Sequence, residues 1–273
     1  MVFKATSVAQ GATKSPAPRE SEIETQLDVM LKMSAELGFS GRGRVLDLGC
    51  GIGNTVSALL KRGCDAYGVD VGEWWGKDHA AYWHDSLPPS ENVRARLSVT
   101  SEENYRLPYP DNYFDLIISS QVFEHVFNYT DVFRELGRVL KRSGASIHVF
   151  PGRGTPTEPH LGIPFVPFAK HSWWLLLWSL VARRHRATWS DEYHFLKIGM
   201  TSNNYPSRGQ LRAHASAAAV RIGFREDLYL RHSNSRPSRI LETAKRLHMG
   251  WIESILTRLC QRTMVLTKSR TST

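Results

Sequence analysis

The chain has 273 residues, of which 41% are hydrophobic and 22% charged, enough apolar side chains for a sizeable core and too many for wholesale disorder. Its net charge of +9 is uneven: from Arg183 onward stand 17 basic and 6 acidic residues, a balance of +11, against −2 for the front of the chain. Three cysteines, Cys50, Cys64 and Cys260, without a Cys-x-x-Cys pair, argue against a disulfide framework or a cysteine metal site and fit a reducing, cytoplasmic compartment.

Residues 1–20, rich in small residues and proline and lacking a signal-like apolar run, read as a flexible tail. Ser21 to Leu37 has helical spacing, with Ser21 and Glu24 as a capping box and Gly38 as the stop. A strand over 44–48 then runs into glycines and a helix over 54–61. Further strands are expected over 66–69, 94–99, 114–119 and 146–150, with a helix over 130–141 before the last of these. Strands alternating with helices indicate βαβ units and a parallel sheet.

Beyond Pro151 the pattern changes. Prolines punctuate 151–167, followed by the aromatic block SWWLLLWSLVA and the basic run Arg183-Arg184-His185-Arg186. Helix is expected over 207–222, strand over 224–230, one long helix over 239–259 and a last strand over 263–267. The organisation is a single α/β domain over 21–270, with an insertion over 151–206 after the fifth strand and a helical one over 236–260 before the last strand.

The most informative segment is Asp47-Leu48-Gly49-Cys50-Gly51-Ile52-Gly53, where a strand turns into a helix. Glycines let the backbone approach a ligand, and the helix start presents free N–H groups. A pyrophosphate fingerprint would be G-x-G-x-x-G, but the third glycine comes one residue early. Asp47 suits an ammonium group better than a phosphate, and Asp70, closing the second strand, can accept bonds from two ribose hydroxyls. Together they point to a nucleoside carrying an amino acid.

VLDLGCGIGN, GVD, LPYPDNYFDLIISSQVFEHV and VFRELGRVLKRSG, in this order, resemble the class I S-adenosylmethionine-dependent methyltransferases. Within these the likeness is to the small-molecule and lipid subgroup that includes quinone-biosynthesis enzymes. The resemblance implies a Rossmann-like seven-stranded sheet, mostly parallel with its last strand antiparallel, helices on both faces, and S-adenosylmethionine as cofactor. It implies that Asp47, Gly49, Gly51 and Gly53 line the methionine end, that Asp70 holds the ribose, and that Val71 flanks the adenine. Glu103 stands where the family has an aspartate near the adenine amino group, and Gln121 faces the methyl group. The family's Pro-Gly-Gly turn is Arg142-Ser143-Gly144 here, and should still turn at Gly144.

A hydroxyl acceptor needs a base, for which a histidine near its ordinary pKa is suited. His125, after Glu124, and His160, with Glu158 as orienting partner, are the candidates, against a purely structural role for each. The aromatic block is too short for the ~20 residues of a membrane span. Its tryptophans beside Arg183, Arg184 and Arg186, and a stripe of Ile240, Ala244, Leu247, Trp251, Ile255 and Leu259, suit either a face buried by protein or a peripheral contact with anionic membrane. The leading function is methyl transfer to a small-molecule or lipid-linked acceptor, through a hydroxyl. An RNA methyltransferase and a catalytically silent binding protein of the same fold are the alternatives. Against RNA stands the scatter of the basic residues along amphipathic elements. Against a silent module stands the pairing of Asp47 with Asp70.

Overall fold

The apolar runs of the sequence become one seven-stranded sheet in the computed structural model, which describes residues 20–75, 91–156, 163, 171–182, 188–201, 203–247 and 249–268. In chain order the elements begin with α1 (Glu20–Glu36), β1 (Arg44–Leu48), α2 (Asn54–Lys61), β2 (Asp65–Asp70), α3 (Glu91–Arg94) and β3 (Leu97–Val99). Then follow β4 (Phe114–Ser120), α4 (Tyr129–Val139), β5 (Leu140–Phe150), α5 (Ser172–Ala182), α6 (Trp189–Thr201) and α7 (Arg208–Ala217). The chain closes with β6 (Val220–Phe224), α8 (Glu226–His232), α9 (Arg236–Arg246), α10 (Trp251–Leu259) and β7 (Arg262–Lys268).

The strand order is β3-β2-β1-β4-β5-β7-β6. All pairings from β3 to β5 are parallel, and β7 runs antiparallel to both β5 and β6. The order reverses between β1 and β4, which opens a crevice at the carboxyl ends of these strands. Both faces of the sheet are covered, as the buried run Val45 to Leu48 requires. On one face Leu27, Met33, Leu59 and Leu228 pack from helices onto Ile118 and Ile147. On the other, Phe133, Leu136 and Leu211 pack onto Leu46, Ile117 and Met264.

Several elements differ from the sequence reading. Ser21 lies inside α1, which already includes Glu20, so it cannot be the cap. The third strand starts at Leu97, because residues 91–94 close a helical turn first. Residues 141–144 form no separate turn: they bulge within β5, between the pairs Phe114–Leu140 and Leu116–Ala145. Lys141 Nζ there holds Asp115 at 2.7 Å, and a Cβ on Gly144 would meet Asp115 O at 2.9 Å.

Residues 224–230 are not a strand. The strand comes earlier, as β6, and ends at Phe224; Glu226 and Asp227 then open α8, while Arg231 and His232 close it, each sign matching the helix dipole. The single helix expected over 239–259 is two, broken around Met249 and Gly250. The break abolishes the continuous stripe: Leu241 and Leu256 pack with Leu230 and Cys260, whereas Ile240, Leu247, Trp251, Ile255 and Leu259 are exposed. Helix α5 matches the aromatic block residue for residue. Leu175 packs against Leu196, Met200 and Tyr205, leaving Trp173, Leu176, Leu177, Leu180 and Val181 exposed.

Candidate active site at the carboxyl ends of the strands

The turn after β1 is built from three glycines in the left-handed region: Gly49, Gly51 and Gly53 at φ 74°, 50° and 87°. Gly49 and Cys50 donate their N–H groups to Val69 O at 2.8 and 3.2 Å, anchoring the turn to β2. A Cβ on Gly49 would lie 2.3 Å from Val122, and one on Gly53 would lie 2.9 Å from Leu97. At Gly51 no atom lies within 4 Å of that position. The first and third glycines thus serve packing, and the middle one faces open space at the crevice. Gly53 caps α2 without a side-chain bond, so the helix start keeps N–H groups for a ligand.

Asp47 is only 6% exposed and hydrogen-bonds Thr55. Burial, then the nearby Asp70 carboxylate, pushes its carboxyl up to about 7, with Thr55 opposing. Two carboxylates converge here, which favours a cationic ligand group. Burial, together with Asp47 and Asp70, also pushes the Cys50 thiol far up, so Cys50 is no thiolate nucleophile.

Asp70 is more engaged than its sequence position suggests. Oδ2 accepts from Gly51 N–H at 2.8 Å; Oδ1 accepts from Val71 N–H at 2.7 Å and from Trp74 Nε1 at 2.9 Å. Val71 is exposed beside it. The Glu103 turn is tied to the same sheet end, since Thr100 N–H donates to Asp70 O and Thr100 Oγ1 to Arg106 O, both at 2.9 Å. Glu103 itself is exposed.

Gln121 follows β4 in a left-handed conformation, φ 57°, with its N–H on Val149 O. Its Nε2 donates to Gln261 Oε1 at 2.9 Å, turning the side chain toward β7, and its Oε1 is buried with no partner among the described residues. His125 is exposed, with Nε2 3.9 Å from Oε1 of the fully buried Glu124. His160 and Glu158, and the basic run 183–186, lie outside the described residues.

Asp47, the three glycines, Asp70, Val71 and Gln121 therefore gather at one end of the sheet, with Glu103 and His125 on the loops after β3 and β4. Sequence reasoning missed Trp74 and Thr55, whose roles depend on reaching the two carboxylates. It also missed a brace between the family-like segments. Glu135 accepts from Leu107 N–H at 2.8 Å, while Arg138 bonds Glu135, Asp111 and the carbonyls of Leu107 and Tyr109. Glu and Arg three apart on one helix face were the available signal.

The family model described as a methyltransferase domain matches residues 46–148. A sterol 24-C-methyltransferase of Gibberella zeae is 26% identical over 113 residues, 41% of this chain and 28% of that protein. The glycine/sarcosine/dimethylglycine N-methyltransferase of Actinopolyspora halophila is 27% identical over 135 residues, 49% of this chain and 23% of its own. A probable S-adenosylmethionine-dependent methyltransferase of Mycobacterium tuberculosis is 31% identical over 116 residues, 38% of this chain and 42% of its own. The chain spans less than half the length of each of these relatives. Their names do not single out quinone biosynthesis.

Proposed function

From the match of residues 46–148 to the methyltransferase-domain family model, we propose that the whole chain is an S-adenosylmethionine-dependent enzyme methylating a small-molecule or lipid-linked acceptor at a hydroxyl. The observation that carries this reading is the buried Asp47 carboxylate, beside the open Gly51 and the Asp70 carboxylate. Those residues fit S-adenosylmethionine: its ammonium would meet Asp47, its ribose Asp70 and its adenine Val71 and Glu103. The cofactor supplies a methyl group activated on a positively charged sulfur.

The chain's own contribution is alignment and proton removal. Gly51 lets the main chain lie close to the amino-acid end, and orientation of this kind accounts for much of the rate. His125, on the loop after β4 with its Nε2 3.9 Å from Glu124 Oε1, takes the acceptor's proton. His160 is the second candidate for this step. The exposed Trp173, Leu177 and Val181 of α5 support an acceptor with an apolar portion, and equally a peripheral contact with anionic membrane. Residues 151–206 would then act as a cover over the acceptor.

The test is incubation of the full chain and metabolite extracts with methyl-labelled S-adenosylmethionine, followed by mass spectrometry. A labelled hydroxyl product supports the reading, and label on nitrogen or carbon alone rejects the hydroxyl. His125→Ala or His160→Ala should slow turnover ~100-fold or more with cofactor affinity unchanged. Near-normal turnover in both removes the histidine base. Retention of wild type by anionic vesicles at low salt and release at high salt would support membrane contact. No retention would reject it.

A further inference from the structure

We propose that the chain has an anion-binding pocket beside the candidate active site, which recognises a phosphate or carboxylate of the acceptor that is not itself methylated. Naming the acceptor rests on the methyltransferase reading; the pocket stands on its own geometry. A cavity of about 270 Å³ lies where the loop after β5, the start of α7, the first turn of α8 and the junction of α10 with β7 meet. Gly152, Gly154, Arg208, Glu226, Arg258 and Arg262 are among its walls.

The cavity collects more positive charge than its own acid can balance. Arg208 Nη2 donates to Glu226 Oε1 at 2.7 Å, and Glu226 is 5% exposed. Among the described residues no carboxylate pairs with Arg262, whose Nη1 donates to the Pro206 carbonyl at 2.7 Å. The Nε groups of both arginines are buried without an acceptor among the described residues. Arg208, Arg212 and Arg262 crowd around one ring, with guanidinium carbons 5.3, 5.2 and 5.7 Å from the centre of Phe224. Burial, then the Arg208 and Arg153 cations, lowers the pKa of Arg262, with Glu226 opposing. Guanidinium groups drawn together against repulsion and partly out of water are stabilised by an oxyanion, for which their planar donor forks are shaped.

The position suits one end of an acceptor. Arg262 lies opposite Phe150, the last residue of β5, and the preceding Gln261 is hydrogen-bonded to Gln121 at 2.9 Å. Strand β5 is two strands from β1, about 10 Å along the sheet. The cavity is smaller than the ~300–1,000 Å³ of a pocket for a whole ligand, and so fits an acidic group with the remainder reaching toward the crevice. Gly152 and Gly154 keep it closely walled: their Cβ atoms would lie 3.2 Å from Arg262 Nη2 and 2.1 Å from Arg258 O.

Calorimetry on the full chain with bound S-adenosylhomocysteine, titrated in separate arms with inorganic pyrophosphate and acetate, tests the pocket. At least one anion should bind; tighter pyrophosphate identifies a phosphate site, and tighter acetate a carboxylate site. Losing one charge-assisted donor set in Arg262→Gln should weaken binding by ~10-fold or more, with S-adenosylhomocysteine affinity held. The paired Arg208→Gln, Glu226→Gln variant removes a cation without leaving a buried acid alone, and should weaken it similarly. No heat from either anion, or unchanged affinity in both folded variants, overturns the pocket.

The acceptor is tested by passing products labelled from S-adenosylmethionine over an anion exchanger. Label in the retained fraction, reduced ~10-fold by Arg262→Gln, supports the assignment. Label confined to the unretained fraction overturns it. Anion binding without any labelled product supports the pocket and counts against the methyltransferase reading instead.

Discussion

The indole N–H of Trp74 donates to Asp70 Oδ1 at 2.9 Å, at the carboxylate expected to hold a ribose. With Gly51 and Val71 also donating, three of its roughly four lone-pair positions are in use. A second ribose hydroxyl would therefore displace or share with Trp74. Asp70→Ala should weaken S-adenosylmethionine binding by at least ~1.5 kcal/mol. Trp74→Phe should leave binding intact or tighten it by up to ~10-fold, since a competing donor is gone. Calorimetry decides: weaker binding in Trp74→Phe would make the indole a part of the site and not a competitor.

Asp47 gives the site a pH dependence of defined sign. Its folded-state pKa is raised to about 7 by burial and by Asp70, above its ordinary value near 3.8. The folded chain therefore holds this proton more tightly than the unfolded one. The stabilisation is full below about pH 4 and is lost as pH rises through about 7. The cofactor wants the opposite, an ionised carboxylate facing its ammonium. Cofactor-free protein should thus lose thermal stability from pH 5 to 8 while S-adenosylmethionine affinity rises. Asp47→Asn should flatten this component of the stability profile and weaken binding throughout. A binding profile unaffected by that substitution would remove Asp47 from the ammonium site.

His148 supplies the opposite slope from the middle of β5. It is fully buried, with Nδ1 2.8 Å from Ser119 Oγ and Nε2 2.7 Å from Ser146 Oγ. Burial lowers its pKa to about 3. The stability held by the neutral ring is present above its ordinary pKa of 6.5 and lost as pH falls through about 3. Its ring resonances should show no titration between pH 7 and 5. A titration midpoint near 6.5 in folded protein would contradict the buried, neutral histidine.

The convergence of Asp47, the glycines and Asp70 was legible because two short strands and one turn carry all of them. Asp47, the glycines and Asp70 are brought together by two neighbouring parallel strands, and strand pairing at this spacing leaves few alternatives. The α8 segment was not legible, because Leu228 and Leu230 alternate like a strand, while the charges at its ends mark a helix. The break at Met249 was hidden by apolar spacing that continued across it. The arginine cluster draws on residues 54 positions apart in the chain, and nothing local to Arg208 or Arg262 announces it.

The Glu135–Arg138 brace should carry measurable stability. Glu135 is 6% exposed, bonds the Leu107 N–H and ion-pairs with Arg138, whose side chain is 17% exposed. Glu135→Leu leaves the guanidinium with only the exposed Asp111 as carboxylate partner among the described residues and the Leu107 N–H without its acceptor, and should cost ~2 kcal/mol or more in urea unfolding. Glu135→Gln keeps an acceptor for Leu107 and should cost less. Equal losses would mean that the Leu107 bond contributes nothing beyond the charge.

Gly49 and Gly51 separate folding from binding. A Cβ at Gly49 would strike Val122 at 2.3 Å in a left-handed backbone, so Gly49→Ala should destabilise the fold by a few kcal/mol. Val122→Ala removes the two nearest atoms and leaves only its Cβ, 3.3 Å away, so it should restore part of that loss. At Gly51 there is no clash, and Gly51→Ala bears only the strain of its positive φ, about 1 kcal/mol. That Cβ enters the space where the cofactor's amino-acid end is expected, so S-adenosylmethionine binding should fall well beyond the change in stability. Thermal melts and calorimetry on the three variants read the two effects apart. A Gly51→Ala protein with normal cofactor affinity would mean that the turn faces something else.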